Sequence, residues 1–464
     1  MRFKTVNYNQ NYPYVLCGIF LLFFSCSPKF SEIPLPIEDV KEFSTTGERV
    51  LEDKWWMAFE DEQLNTLIDS AMQRNFDLAA TWQQFLAAQA TVSIETSNLW
   101  PQIDAGAQTA ENFPLNDFTG GENTQIGLSA SYEIDLWGRL RTAVQAEKFR
   151  AEANLYDYRA AAISLSAEIA TTWYELLAAK KQLQITDDQI QTNQDIIKLM
   201  RSRLVGGQIR SVDILRQAQL LESTKEQHII YSTNLQILEN RLAVLLGRQP
   251  QESLVFSEHF FPNLPELPAT GLSLELVRRR PDLQQSYAVL LSADRDMAAA
   301  VRNKYPRISI NIDGQLRSNN FANLFENWAY SLAGNILAPI FYGGQLQAEV
   351  ERAEAIKQQR LFEYGQTTLV AFQEVEDGLV QEVMQKKRTE NINRQLELSQ
   401  KSNKQLRIEF LNGFSPYLDV LIGLNQEQQL RRDYVDAQLR QILMRIRLYR
   451  ALAGSFDTGR TLED

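Results

Sequence analysis

Few side chains in this chain could do covalent or metal chemistry, and they are scattered. Its 464 residues include two cysteines, Cys17 and Cys26, and two histidines, His228 and His259. Neither histidine has a second ligand at metal spacing, and two cysteines alone make neither a zinc site nor a disulfide framework. The sequence has no Gly-rich phosphate loop with a lysine, no Gly-x-Ser-x-Gly elbow, no His-Glu-x-x-His and no carboxylate cluster with a histidine. The expectation is a protein that is no enzyme and needs no cofactor or metal. Cys26 is the exception to this inertness. It follows Phe23-Phe24-Ser25 at the end of an apolar run from Val15 to Phe24, behind Arg2 and Lys4. A small residue before a cysteine at the end of an export core resembles a bacterial lipobox, which makes Cys26 the acylated first residue of the mature chain. The alternative is ordinary cleavage near Ser25, with Cys26 incidental.

The elements around that cysteine read as a leader and a leash. About ten apolar residues are too few to span a bilayer as a helix and read as a signal-peptide core. Residues 1–25 are therefore assigned to the signal peptide and 26–50 to a lipid anchor and extended leash, with Pro28, Pro34 and Pro36 keeping it from folding. The formal net charge of −11 argues against nucleic acid as a partner, since phosphate binding draws on basic charge. A mean hydropathy of −0.31 excludes a bundle of apolar membrane helices.

The body is written twice. Trp100-Pro101 recurs as Tyr305-Pro306 and Gly138 as Gly343, each 205 positions on. Val212-Asp213-Ile214-Leu215 recurs as Leu418-Asp419-Val420-Leu421, 206 positions on. That period is far too long for a solenoid and marks a duplicated domain. The first repeat is placed at 51–255, the second with an equatorial segment at 256–455, and a short tail at 456–464. Each half carries two alternating stretches, at about 101–111 and 124–136, then about 306–317 and 328–341. In Gln125–Leu136, Ile126, Leu128, Ala130, Tyr132, Ile134 and Leu136 share one face against a polar one, the period-two signature of a strand. Segments near ten residues with aromatic ends (Trp100, Trp137, Tyr305, Trp328, Phe341) fit a membrane barrel, although a half-buried soluble sheet would alternate as well.

Between the strand pairs lie long helical stretches. From Leu155 every seventh residue is apolar: Ala162, Ile169, Leu176, Leu183, Ile190, Ile197 and Leu204. Such a repeat predicts a supercoiled seam, here without a proline from Arg139 to Val205. Gly206-Gly207 ends the helix, Ser211 offers an N-cap for the return to Leu246, and Ile214, Leu221, His228, Leu235 and Leu242 continue at seven. His228 thus reads as a seam residue. The second half repeats the plan from about Gln345 to Leu411, turns at Gly413 and Pro416, and returns to about Ala453. Four strands cannot close a conducting barrel, and an open sheet edge is not tolerated in lipid. Several copies must share one barrel, continued by their helical hairpins as a tube.

The stretch from Arg279-Arg280-Pro281-Asp282-Leu283 through Tyr305-Pro306-Arg307-Ile308 resembles the signature of the TolC family of outer-membrane efflux proteins. Leu136-Trp137-Gly138-Arg139 and Trp55-Trp56 with Phe59, Asp61 and Leu64 are also similar to it, and the likeness is strongest to the lipoprotein, NodT-type branch. The resemblance implies an α+β membrane protein in which three protomers give four strands each to a twelve-stranded barrel continued by a helical periplasmic tunnel. It implies a homotrimer anchored in outer-membrane lipid that passes small-molecule cargo from an inner-membrane transporter through a periplasmic adaptor. It assigns the adaptor-docking tips to Val205, Gly206, Gly207, Asn412 and Gly413. It places a periplasmic gate at Asp419, with Leu418 and with Ile422 where relatives often carry a second aspartate, so the constriction is expected to be mixed acidic and apolar. Asp419 also reads as an ordinary helix-start carboxylate favoured by the helix dipole, and Arg203 and Arg210, beside the first turn, are its nearest candidate donors in the sequence. A protein-secretion duct and a non-conducting lipid-anchored scaffold are the other functions compatible with the same plan.

Overall fold

A computed structural model describes residues 43–44, 47, 52–112, 121–250, 261–269, 279–318, 323–326 and 328–460. They lie within one unit, Asp39–Asp464. Cys17, Cys26 and His259 fall outside the described residues. The first described element is a 3-10 turn, Trp55–Phe59, followed by α1 (Glu62–Arg74) and α2 (Phe76–Ser97). Strands β1 (Gln102–Asn112) and β2 (Gly121–Ile134) precede the hairpin α3 (Arg139–Val205) and α4 (Ser211–Leu245). After α5 (Pro281–Arg302), β3 (Arg307–Ser318) and β4 (Trp328–Leu337) lead into a second hairpin, α6 (Gln345–Leu411) and α7 (Tyr417–Leu452). The two outgoing helices, α3 and α6, are both 67 residues long, about 100 Å at 1.5 Å per residue.

The four strands form one antiparallel sheet in the order β1-β2-β3-β4. Residues directly opposite one another share a face, so the register sorts the sheet. One row joins Ile103, Ala130, Ile312 and Leu332, and another joins Ile134, Ile308 and Ile336. On the opposite face one row joins Asp104, Ser129, Asp313 and Ser331. The apolar rows from Ile126 to Ile134 cover roughly 27 Å of strand, which tilt reduces to about 20 Å, the order of an outer-membrane apolar band. Ile103, Leu332 and Ile336 are each at least 70% exposed in the single chain, a face that belongs against lipid.

Two strands stop earlier than the alternation predicts. β2 ends at Ile134 rather than 136 because the Asp135 carboxylate turns away to accept the N–H groups of Leu140 (3.1 Å) and Arg141 (2.9 Å) at the start of α3. β4 ends at Leu337 rather than 341, where β3 offers no residue beyond Arg307 to pair with and Pro339 has no N–H for the ladder. Sheet and helices are riveted at the join: Trp137 Nε1 donates to the Pro306 carbonyl at 2.8 Å and its ring stacks on Tyr305.

The core sits around the middle of α3. Trp55, Trp56, Phe59, Leu64 and Ile68 pack with Ile169, Trp173, Tyr174, Leu176, Ile442, Ile446 and Tyr449 in one cluster. Asp61 caps α1 by accepting the Gln63 and Leu64 N–H groups and accepts the Trp173 indole N–H at 2.8 Å. The Trp-Trp motif is therefore a packing and capping element. The Arg-Pro-Asp motif is a latch. Arg280 is buried and donates to Asp282 (2.7 Å), Glu374 of α6 (2.7 Å) and the Ala451 carbonyl near the end of α7 (3.2 Å), while Pro281 opens α5. Truncation would leave Asp282 without this cation and Glu374 with Arg450 alone, at 3.8 Å. Arg280→Ala is expected to cost about 1–2 kcal/mol, read as a lower midpoint for heat dissociation of the detergent-solubilised assembly. An unchanged midpoint would show that the latch is dispensable.

Candidate functional site

The residues assigned to docking and gating lie at the ends of the two hairpins. Both hairpins turn the same way. In the first, Gly207 donates its N–H to Leu204 (2.9 Å) and Gln208 to Arg203 (3.0 Å); in the second, Gly413 donates to Phe410 (3.1 Å) and Phe414 to Glu409 (2.9 Å). This is the Schellman closure, which needs a left-handed residue just past the helix. Gly207 (φ 69°) and Gly413 (φ 81°) supply it, whereas Gly206 (φ −79°) does not need to be glycine. Val205, Gly206, Gly207, Asn412 and Gly413 are all exposed. Sequence reasoning missed Phe414, which is 83% exposed beside them; the signal available was an aromatic directly after a turn glycine.

Behind the turns the two hairpins are clasped together. Met200, Tyr417 and Val420 form a small core with Ile196, Ile209, Leu406 and Phe410. The Arg203 guanidinium lies 5.5 Å above the Phe410 ring, and Phe410 meets Tyr417 edge-on. Burial pushes the Tyr417 hydroxyl up from its ordinary pKa, so it stays protonated and donates to Gln217 Oε1 at 2.5 Å.

The two duplicated aspartates have diverged. Asp213 is buried and accepts the Arg210 backbone N–H (3.3 Å) and the Arg210 guanidinium (3.1 and 3.2 Å). Arg210, and not Ser211, is the N-cap of α4, because Asp213 reaches back to its N–H. The position matching Arg210 in the second half is Pro416, which has neither an N–H nor a cation. The Asp419 carboxylate consequently has no hydrogen bond or ion pair among the described residues, and the residue is half-buried. Sequence proximity had suggested Arg203 and Arg210 as its donors; the structure commits Arg203 to Phe410 and Arg210 to Asp213. Leu418 and Ile422 are 37% and 58% exposed on the same first two turns of α7. His228 sits half-buried between α3 and α4, its Nδ1 3.2 Å from Asp187 and 3.4 Å from Thr186 Oγ1, in keeping with a seam role. No group of His, Cys, Asp or Glu among the described residues could hold a metal ion.

The predicted seam also shifts. Leu183 and Ile190 are only half-buried and Leu204 is exposed, while Gln182, Thr186, Gln189 and Asn193 take the buried positions. The apolar heptad holds around the middle of α3 and gives way to a polar stripe over Gln182–Asn193, and buried apolar residues resume toward the tip at Ile197 and Met200.

A sheet whose one face is apolar and exposed, joined to two 67-residue helices that end in matched turns, defines an outer-membrane exit channel. The model of the family described as outer membrane efflux protein matches residues 67–248 and 272–454. The chain is 28% identical over 427 residues to the pyoverdine export outer membrane protein OpmQ of Pseudomonas putida, covering 87% of this chain and 88% of that one. It is 26% identical over 442 residues to the cation efflux system protein CusC of Escherichia coli, covering 93% and 96%. Its fold matches the open-state crystal structure of the Neisseria gonorrhoeae MtrE outer membrane channel with a TM-score of 0.83 at 24% identity, covering 92% and 97%. The chain belongs to the outer membrane efflux protein family, and its two matched segments are the two halves of the duplication. Four strands per chain are one third of the twelve-stranded barrel that three protomers close, and the helices form the periplasmic tunnel.

The divergence of the two aspartates has a measurable consequence. Asp213→Ala is expected to free the first turn of α4 at a cost of about 1 kcal/mol, seen as faster amide exchange at Arg210–Asp213. Asp419→Ala is expected to leave exchange at Tyr417–Val420 unchanged. Equal effects at both sites would contradict the assignment of Asp213 as a cap.

Proposed function

We propose that this channel is the exit duct of a tripartite assembly, opened at its tip for small molecules or ions. Periplasmic adaptor hairpins dock on Val205, Gly206, Gly207, Asn412 and Gly413, and an inner-membrane transporter delivers the cargo. The small-molecule reading draws support from relatives named for pyoverdine export, toluene efflux and cation efflux. In the resting state the tip is narrowed by Asp419 with Leu418 and Ile422, a constriction of mixed acidic and apolar character. One observation carries this reading: of two duplicated aspartates, only Asp419 lacks a partner among the described residues of its own protomer. Three such carboxylates near one axis repel one another and attract cations, which makes the narrow end cation-selective.

Single-channel recording in planar bilayers tests this. Asp419→Ala is expected to weaken cation selectivity, since it removes the charge from the ring, and, if the carboxylate also locks the helices, to raise single-channel conductance. If neither changes, Asp419 is a solvated helix-start residue and the constriction belongs to Leu418 and Ile422. Identification of the inner-membrane protein captured with the channel separates efflux from a protein-secretion duct, and an absence of conductance would favour a scaffold.

Cys26, which lies outside the described residues, is proposed as the lipid-bearing first residue of the mature chain. One acyl chain gives only marginal membrane binding, so the barrel is the main anchor. Cys26→Ala is expected to abolish labelling by a fatty-acid analogue while leaving assembled channel in the membrane; labelling that survives would refute the assignment.

A further inference from the structure

The two hairpin tips close by the same turn but present different chemistry. In a Schellman closure the residue after the left-handed glycine commonly packs back on the last turn of the helix. In the second hairpin that residue is Phe414, and the turn sets it against Glu409 and Ile408. Glu409 offers it no apolar surface, since its carboxylate accepts Ser415 Oγ (2.9 Å) and Gln405 Nε2 (3.1 Å). Ile408 is itself exposed, and Phe414 is left 83% exposed. The matching place in the first hairpin holds Gln208. There the exposed apolar residue is the smaller Val205, beside Gly206 and Gly207.

The tips are also basic within an acidic chain. Residues 195–216 and 401–422 hold eight Lys or Arg and four Asp or Glu, a balance of +4 where the whole chain carries −11. Three of those carboxylates are engaged: Asp195 with Lys198 (2.9 Å), Asp213 with Arg210 (3.1 Å) and Glu409 with Ser415. The fourth, Asp419, is half-buried. Arg201, Lys401, Lys404 and Arg407, by contrast, are exposed and make no ion pair among the described residues. Three copies around one axis repeat this excess of positive charge as a collar.

A single exposed apolar residue is ordinary on a protein surface. An aromatic ring fixed on a rigid turn, inside a collar of one sign, is a narrower case. Such a ring contributes most when it enters a pocket that excludes water, and aromatic residues dominate contacts of that kind. Charges at the rim steer approach and reject wrong partners more than they add strength. The occupant that fits this end therefore offers an apolar socket with carboxylates around it. A second copy of the same tip would bring like charge to like. An anionic bilayer would accept both ring and cations, but the tips stand about 100 Å along α3 from the sheet that takes lipid.

We propose that Phe414 is the anchor of docking: it seats the second hairpin in an apolar socket of a periplasmic protein whose contact surface is acidic. The proposal rests on the docking reading given above and deepens it in two ways. It makes the two tips unequal, with Asn412-Gly413-Phe414 as the gripping contact and Val205-Gly206-Gly207 as a flat rest. It also assigns the partner's chemistry, since Lys401, Lys404 and their neighbours call for Asp or Glu beside the socket.

The experiment starts with the full channel in cells, carrying a photo-reactive phenylalanine analogue at position 414. Illumination is expected to trap a second periplasmic polypeptide. The point of attachment, read by mass spectrometry, should be an apolar residue with Asp or Glu within one helical turn. That polypeptide, purified, is then the probe for binding to detergent-solubilised channel. Phe414→Ser is expected to weaken its affinity about ten-fold or more, Val205→Ser and Phe414→Leu by no more than about three-fold each. Lys401→Glu with Lys404→Glu is expected to slow its association about ten-fold. These side chains are exposed, so the variants keep the fold. Undiminished affinity in Phe414→Ser, or an equal loss in Val205→Ser, overturns the anchor. Attachment to lipid or to the channel's own chain overturns it as well. A basic attachment surface, or association indifferent to the charge reversal, overturns the acidic partner. If the analogue traps nothing at either 205 or 414 in a channel that conducts in bilayers, the docking reading itself fails, and the anchor with it.

Discussion

The constraint on which the rest depends is that no strand edge can be left open in lipid. The sheet has two edges, β1 and β4, and each presents a row of backbone groups that hydrocarbon cannot satisfy. One chain cannot close on itself with four strands, so copies must meet edge to edge. The apolar rows then face lipid, and the row holding Asp104, Ser129, Asp313 and Ser331 faces water inside. Once the barrel is shared, the helices that leave it are held at its circumference and have to continue as a tube. The two 67-residue helices of each chain are then arrayed together below the barrel as the tunnel.

Much of this was legible in the sequence because duplication and alternation are written in residue order. The 206-residue offset located both hairpins, and period-two runs located all four strands. Gly207 and Gly413 marked the turns through their backbone requirement. The strand ends were less legible because they are set by contacts distant in kind: Asp135 leaves the ladder to cap a helix, and β4 runs out of partner. The Trp-Trp and Arg-Pro-Asp motifs were visible as signatures, but their work appears only in three dimensions. Asp61 binds an indole 112 residues away, and Arg280 reaches two helices of the second half.

The site was half legible. The exposed tips fell where the turns predicted them, whereas the donors suggested for Asp419 were assigned by proximity in sequence and are engaged elsewhere. Laying the two halves side by side exposes the reason, since Arg210 faces Pro416 at the position that decides whether the aspartate is capped. The seam was misread for a different reason. An apolar residue every seventh position is a true feature of α3, but at Leu183 and Ile190 those residues sit at the margin and the amides beside them take the centre, before burial returns at Ile197. Periodicity identifies a face; it does not say which neighbour covers that face.

The central claim, that the open four-stranded sheet is completed only by other copies of the same chain, is tested most directly by the native mass of the detergent-solubilised protein. The account predicts three chains per particle, with strand content lost when the particle is dissociated. A stable single chain that keeps its strand content and inserts into bilayers would contradict it.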